Sequence, residues 1–326
     1  MREQAIRRLS ADAYRDKILP LRARADVTKD WLQQRLDEVV PDLMKREGFD
    51  MWLVVAREYN EDPVIMTLLP APAMSARRRT ILMFSLQDDG TVERLTLDRY
   101  GHKGFYKSAW EPEKEGPYEC LARLVKERDP EQIGLNVSET FAFADGLTHS
   151  EHESIIDALG EEYGGRTTTA ERLAVGWLER RIEPELVVYP AIIALGHTII
   201  AEAFSDRVIQ PGITTTEDVV WWMRQKMLDL GLDAWFQPTI DIQAADQPPS
   251  PIGKKPDKEP RTLILPGDML HCDMGFYYLG LATDQQQLAY VLRPDESDAP
   301  EGLKRGLAEG NRVQDIHCEM MEPGKT

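Results

Sequence analysis

Between His271 and Leu292 the chain reads His-Cys-Asp-Met-Gly-Phe-Tyr-Tyr-Leu-Gly-Leu-Ala-Thr-Asp, then Gln-Gln-Gln, then Leu-Ala-Tyr-Val-Leu. Two carboxylates, Asp273 and Asp284, stand eleven positions apart, with Gly275 and Gly280 between them and apolar strand-like runs on both sides. Two strands joined this way fold back on each other and can bring both carboxylates to one point. Met269 to Met274 reads as a buried strand entered through a Pro266-Gly267-Asp268 turn. A carboxylate in such a strand is rarely left unpaired. Two converging carboxylates repel each other unless they share a proton or bind a cation. An all-oxygen pair favours a hard or borderline metal such as Mn²⁺ or Co²⁺ over a thiolate-type zinc site. The alternative is a buried aspartate satisfied by backbone N–H groups. With 56 acidic residues in 326, the spacing alone recurs by chance, so its weight comes from the strand and turn around it.

The acidic excess bears on partners as well. A net charge of −17 argues against binding a phosphate backbone, which needs clustered Lys and Arg. Arg77-Arg78-Arg79 and Lys254-Lys255 are the compact basic runs, and each reads as a solvated loop or strand edge. No stretch approaches the roughly 20 apolar residues that span a bilayer, and the basic N-terminus lacks the apolar core of a signal peptide. Three widely spaced cysteines, Cys120, Cys272 and Cys318, make neither a disulfide framework nor a zinc pattern. The expectation is a cytoplasmic, reduced α/β (α+β) protein of two domains, 1–165 and 166–326, with no nucleic-acid or membrane partner.

The periodicity predicts an amphipathic helix from Thr28 to Glu47, stopped by Gly48. Strands follow at Met51–Val55, Thr80–Ser85, Val92–Asp98 and Ile133–Val137, with Asp88-Asp89-Gly90 as a hairpin turn. A helical zone starts at Ser150, and Gly164-Gly165-Arg166-Thr167-Thr168 reads as a linker. A long helix over 169–207, interrupted at Pro184 or Pro190, opens the second domain. Pro211-Gly212-Ile213-Thr214 turns the chain, and Thr215 or Thr216 caps a helix that reaches Leu230. Gln243–Arg261 reads as a long surface loop.

Gly267-Asp268 through Asp273-x-Gly275, then Gly280-Leu281-x-Thr283-Asp284 and Ala289-Tyr290-Val291-Leu292, resembles the first two metal-ligand segments of the pita-bread metallopeptidases. That family includes Xaa-Pro aminopeptidases, prolidases, methionine aminopeptidases and creatinase. The resemblance extends over roughly 170–326, through Ala194-Leu195-Gly196-His197, Pro211-Gly212-Ile213-Thr214 and Trp221-Trp222. Residues 1–165 are similar to the creatinase-like N-terminal α/β domain of the creatinase and Xaa-Pro peptidase branch. The resemblance implies a dinuclear site in which Asp273 chelates one ion and Asp284 bridges two. The ions would be Mn²⁺ or Co²⁺, with Zn²⁺ as an alternative. The implied activity is hydrolysis of amide C–N bonds in short peptides, of the Xaa-Pro type, by a homodimer. Hydrolysis of a small non-peptide C–N bond, as in creatinase, and a non-catalytic binding protein of the same fold are the alternatives.

Arg207-Val208-Ile209-Gln210-Pro211-Gly212-Ile213-Thr214 is echoed by Cys318-Glu319-Met320-Met321-Glu322-Pro323-Gly324-Lys325-Thr326. Against the two-fold pseudosymmetry of the resembled fold, the echo predicts a pita-bread domain cut at the start of its second half. The family's remaining ligands, a His and two Glu, would then follow Thr326. On this reading the 326-residue chain is inactive as it stands and exposes apolar surface around Leu288, Tyr290 and Leu292. His317 lacks the glycine-rich setting of the family's His, and no His lies between His197 and His271, where peptidase members carry one. His271 shares a strand face with Asp273 and is a candidate to support that carboxylate by hydrogen bonding. Cys272 faces the opposite way and reads as a small core residue.

Overall fold

The computed structural model describes residues 10–71, 73–243 and 261–325. By their internal contacts these form two units: Leu19–Tyr189, and Pro190 onward together with the described residues up to Ile18.

The first unit begins with α1 (Leu21–Glu47), closed by Gly48 in the left-handed conformation at φ 74° with Lys45 and Arg46 in the last turn. The helix starts at Leu21, behind Pro20 as its N-cap and seven residues before the expected Thr28, and keeps Pro41 in its interior. Then come β1 (Met51–Arg57), α2 (Pro63–Leu68), β2 (Arg79–Leu86), β3 (Val92–Thr96) and β4 (Lys107–Ser108). α3 (Pro117–Arg128), β5 (Ile133–Leu135), α4 (His149–Gly164), β6 (Thr167–Thr169) and α5 (Glu171–Glu179) complete it.

The sheet has the order β4-β3-β2-β1-β5-β6, antiparallel through β3-β2-β1 and parallel at β3-β4, β1-β5 and β5-β6. Helices cover both faces, which is why β1 and β2 are buried almost without interruption. Met51, Leu53, Val55, Ile81 and Met83 pack with Leu121, Leu124 and Val125 of α3 and Ile155 and Leu159 of α4. The alternate residues, Trp52 and Phe84 among them, stack at 5.4 Å on the other face. There α1 meets β2 and β3.

Two sequence expectations change here. The Gly164–Thr168 segment is not a free linker: its end becomes β6, which pairs with β5 through Ile133↔Thr167 and Leu135↔Thr169. The unit then runs on through α5, which packs against α1, so the division falls at 189/190 where 165/166 was expected. A buried ion pair pins this closing segment. Arg35 Nη1 lies 3.0 Å from Glu185 Oε2 and 2.6 Å from the Arg180 carbonyl, while its guanidinium sits over Trp177 at 4.3 Å. The basic run at 77–79 is also paired, with Arg79 on the buried Glu151 carboxylate at 2.8 Å and Arg77 beside Glu58.

Helix α6 (Glu183–Ala203) follows a break at Arg180–Ile182 and carries Pro190 inside it. The predicted long helix is therefore two helices, split ahead of Pro184. By length and composition α6 could cross a membrane, with a mean hydropathy of 1.7 in its most apolar window, contrary to the sequence reading. A buried core helix meets the same criteria, and Ile192, Leu195, Ile199, Ile200 and Ala203 are core residues of the second unit.

In that unit α7 (Thr216–Asp229) opens with a capping box between Thr215 and Asp218 and is followed by Gly231 at φ 69°. Val219, Met223 and Met227 are its buried stripe and Trp222 is half-buried. Short β7 (Asp233–Ala234) and β8 (Thr239–Gln243) precede β9 (Met269–Met274), β10 (Phe276–Tyr278), β11 (Leu281–Ala282) and β12 (Gln285–Tyr290). They make two antiparallel three-stranded sheets, β11-β10-β7 and β12-β9-β8. A 3-10 helix at Ala11–Lys17 joins this unit across the length of the sequence, with the Ala11 N–H on Glu202 Oε2 at 2.8 Å. The last helix, α8 (Glu301–Met320), has no buried residue. The glycines of the two Pro-Gly echoes both have positive φ, 85° at Gly212 and 83° at Gly324. Most of the expected 243–261 loop lies outside the described residues.

Candidate functional site

Strand β9 alternates buried and half-buried residues: Leu270, Cys272 and Met274 point into the core, Met269, His271 and Asp273 to the other side. Cys272 is fully buried, as expected, and burial beside Asp273 pushes its thiol up to about 12.

After Met274 the chain does not run on as one hairpin. It breaks at Gly275 and changes sheets. A Cβ on Gly275 would lie 2.3 Å from the Thr283 carbonyl and 2.9 Å from ring atoms of both Trp235 and Phe236, so only glycine admits the returning chain there. Leu279 and Gly280, at φ 55° and 78°, make the tight turn between β10 and β11, the conformation that two-residue hairpin loops favour. Thr283 is buried and its Oγ1 accepts the Phe276 N–H at 3.1 Å, which fixes the position of its neighbour Asp284. From there β12 pairs back on β9 with Gln286 opposite Asp273 and Leu288 opposite His271.

The two glycines and the buried threonine thus bring Asp273 and Asp284 together. Burial raises the Asp273 carboxyl above its ordinary value, and the nearby charge of Asp284 raises it further. Asp284 itself is exposed and Asp273 half-buried. The Asp273 Oδ1 atom is buried without a hydrogen-bond partner, whereas Oδ2 accepts from Gln286 Nε2 at 3.2 Å. An orphaned anionic oxygen next to a second carboxylate suits a divalent cation, which would replace the missing partner and quench the repulsion. Two carboxylates are only part of a ligand set. Among the described residues no three His, Cys, Asp or Glu gather at one point.

The histidines divide. His271 lies beside the pair, its Nε2 3.3 Å from Gln286 Oε1 and its Nδ1 3.7 Å from Asp241 Oδ2. His197 is exposed on α6 and meets Gln287 at 3.3 Å. His317 is exposed on α8. The residue that sequence reasoning missed is Gln286. Strand alternation from Asp284 puts it on the carboxylates' face, and that was the available signal.

No sequence model of a protein family matches the chain, and no curated protein does. Solved structures do. The X-Pro aminopeptidase from Thermotoga maritima superposes with a TM-score of 0.59 at 15% identity, over 84% of this chain and 70% of that one. A dipeptidase from Pyrococcus horikoshii gives 0.53 at 17% identity, over 79% and 66%. Proline aminopeptidase P II from Yersinia pestis gives 0.53 at 14%, over 81% and 63%. The chain spans about two thirds of the length of these three structures. At such identities the likeness speaks for the fold. The chain has the mixed α/β fold of the pita-bread proteins.

Proposed function

We propose that this chain is a metal-dependent hydrolase of amide C–N bonds in short peptides, of the Xaa-Pro type, with Asp273 and Asp284 as cation ligands. The observation that carries this reading is the convergence of the two carboxylates with Asp273 Oδ1 left unpartnered. Bound there, divalent cations such as Mn²⁺ or Co²⁺ supply Lewis acidity for activating water and polarising an amide carbonyl. The protein's part is to hold two anionic oxygens together at a fixed place. The Gly275 crossing and the Thr283 hydrogen bond do that through the backbone, and the open face of the β12-β9-β8 sheet leaves the pair accessible to substrate. A homodimer in a reducing, cytoplasmic setting is part of the same proposal.

The test is uptake of Mn²⁺ or Co²⁺ by the full chain, measured as metal per chain after dialysis, with hydrolysis of Xaa-Pro peptides followed in parallel. Wild type should retain metal and Asp284→Ala should lose it. Equal metal content in the two would overturn the ligand assignment. Metal-dependent turnover lost in Asp284→Ala would carry the hydrolase reading directly, whereas metal retention without turnover is what two carboxylates alone are expected to give.

A further inference from the structure

The run Gln285-Gln286-Gln287, directly after Asp284, is used on alternate faces of β12. Gln285 faces the core. Its Nε2 donates to the Ile193 carbonyl of α6 at 3.0 Å, over Gly196, where an added Cβ would stand 1.7 Å from Gln285 Oε1. Gln287 reaches His197 of the same helix. These two contacts fix the strand against the helix behind it. Gln286 faces the other way and lies opposite Asp273 in the register. Its amide is held at both ends, with Nε2 donating to Asp273 Oδ2 at 3.2 Å and Oε1 beside His271 Nε2 at 3.3 Å. His271 continues to Asp241 on β8. One line of polar contacts therefore crosses all three strands and ends on the carboxylate pair.

We infer that Gln286 is a positioning residue for the Asp273–Asp284 pair: its amide occupies Oδ2 of Asp273 and so presents Oδ1 as the oxygen offered to a cation. This rests on the reading of the pair as a cation site. An amide suits the task because it donates a hydrogen bond without adding charge. A carboxylate at the same place would add a third mutually repelling anion, and an ammonium or guanidinium would oppose the cation.

The test uses the full chain, Mn²⁺ alone as probe, and the electron paramagnetic resonance signal of the free ion. Gln286→Leu keeps much of the volume and removes the amide. Gln287→Leu, the neighbour on the opposite face, is the control. Gln286→Leu should weaken Mn²⁺ binding about 10–100-fold, the range seen when partners of ligating groups are removed, while Gln287→Leu should not. Thermal melting of Gln286→Leu should match wild type, which separates positioning from folding. As a second readout, the Gln286 side-chain amide resonance in a ¹H–¹⁵N spectrum should move when Asp273→Ala removes its acceptor. Unchanged Mn²⁺ affinity in Gln286→Leu, or an amide resonance indifferent to Asp273→Ala, would overturn the inference. If wild type takes up no Mn²⁺, the cation reading fails by itself, and the amide resonance alone decides whether Gln286 holds Asp273.

Discussion

The sheet of the first unit and the β12-β9-β8 sheet of the second answer the same problem in opposite ways. In the first, both faces are covered, and β1 is buried at six consecutive positions, Met51 to Ala56. In the second, only the face with Leu270, Cys272 and Met274 is covered, and the other carries Thr239, Asp241, His271, Asp273, Gln286 and Leu288 half-buried or exposed. A strand with both sides packed has no room for chemistry, because each polar atom there needs its own partner. A strand with one bare side can hold an under-satisfied carboxylate at modest cost, since water stands in until a ligand arrives. The residues of the proposed cation site are on the half-covered sheet, as that argument expects.

The contrast can be broken most directly by truncation. Phe84→Ala, in the doubly covered sheet, should cost about 3–5 kcal/mol, whereas Leu288→Ala, 47% exposed, should stay within about 0.5–1 kcal/mol. Chemical denaturation of the two variants measures this, and equal costs would mean that the second sheet is covered in solution. Next in size is Gly196→Ala. The added Cβ collides with Gln285 behind the sheet, and relieving that overpacking should cost about 1–3 kcal/mol. A neutral result would show that Gln285 readily swings aside.

A smaller effect separates the two faces by pH. The folded Asp273 carboxyl titrates above its unfolded value near 3.8. The folded chain therefore binds that proton more tightly and loses relative stability as pH rises through the window. Asp273→Asn removes the loss, so without metal it should melt higher than wild type at pH 7. The two should melt together below pH 3.8. A variant that melts lower at pH 7 would mean that the carboxylate is stabilised as an anion.

The smallest effect on stability accompanies a change in association. Leu288 and Leu292 are exposed beside half-buried Tyr290, and Leu307, Val313 and Met320 are exposed on α8; exposed apolar side chains of this kind favour association where they adjoin. Light scattering should find wild type self-associating. Leu288→Ser should reduce that while shifting stability by about 0.5 kcal/mol or less. Monodisperse wild type would sharpen the comparison, since the bare face would then be stable in water.

What could be read from residues alone was the locally encoded part. The Gly48 stop, the Thr215 cap, the inward Cys272 and the meeting of Asp273 with Asp284 follow from short-range periodicity and turn chemistry. β6 could not be read, because Gly-Gly-Arg-Thr-Thr looks like a linker until β5 supplies its partner more than thirty positions away. The break at Arg180–Ile182 contains no proline, and the Arg180 carbonyl in it is held by Arg35, far back in the chain. The attachment of Ala11 to Glu202 spans 191 positions. Asp273 and Asp284 could be singled out from the sequence as candidates and Gln286 could not, because a glutamine gains meaning only from the residue across the ladder.

The seating of Gln285 on Gly196 bears on how this chain can change over generations. A side chain at 196 needs either a shorter residue at 285 or the Gln285 amide to leave its present place, because the atoms it would meet are that amide. The two should vary as a pair among descendants of this sequence. Because 285 adjoins Asp284, a helix position with no polar group of its own would then record whether the carboxylate pair is still being kept in place.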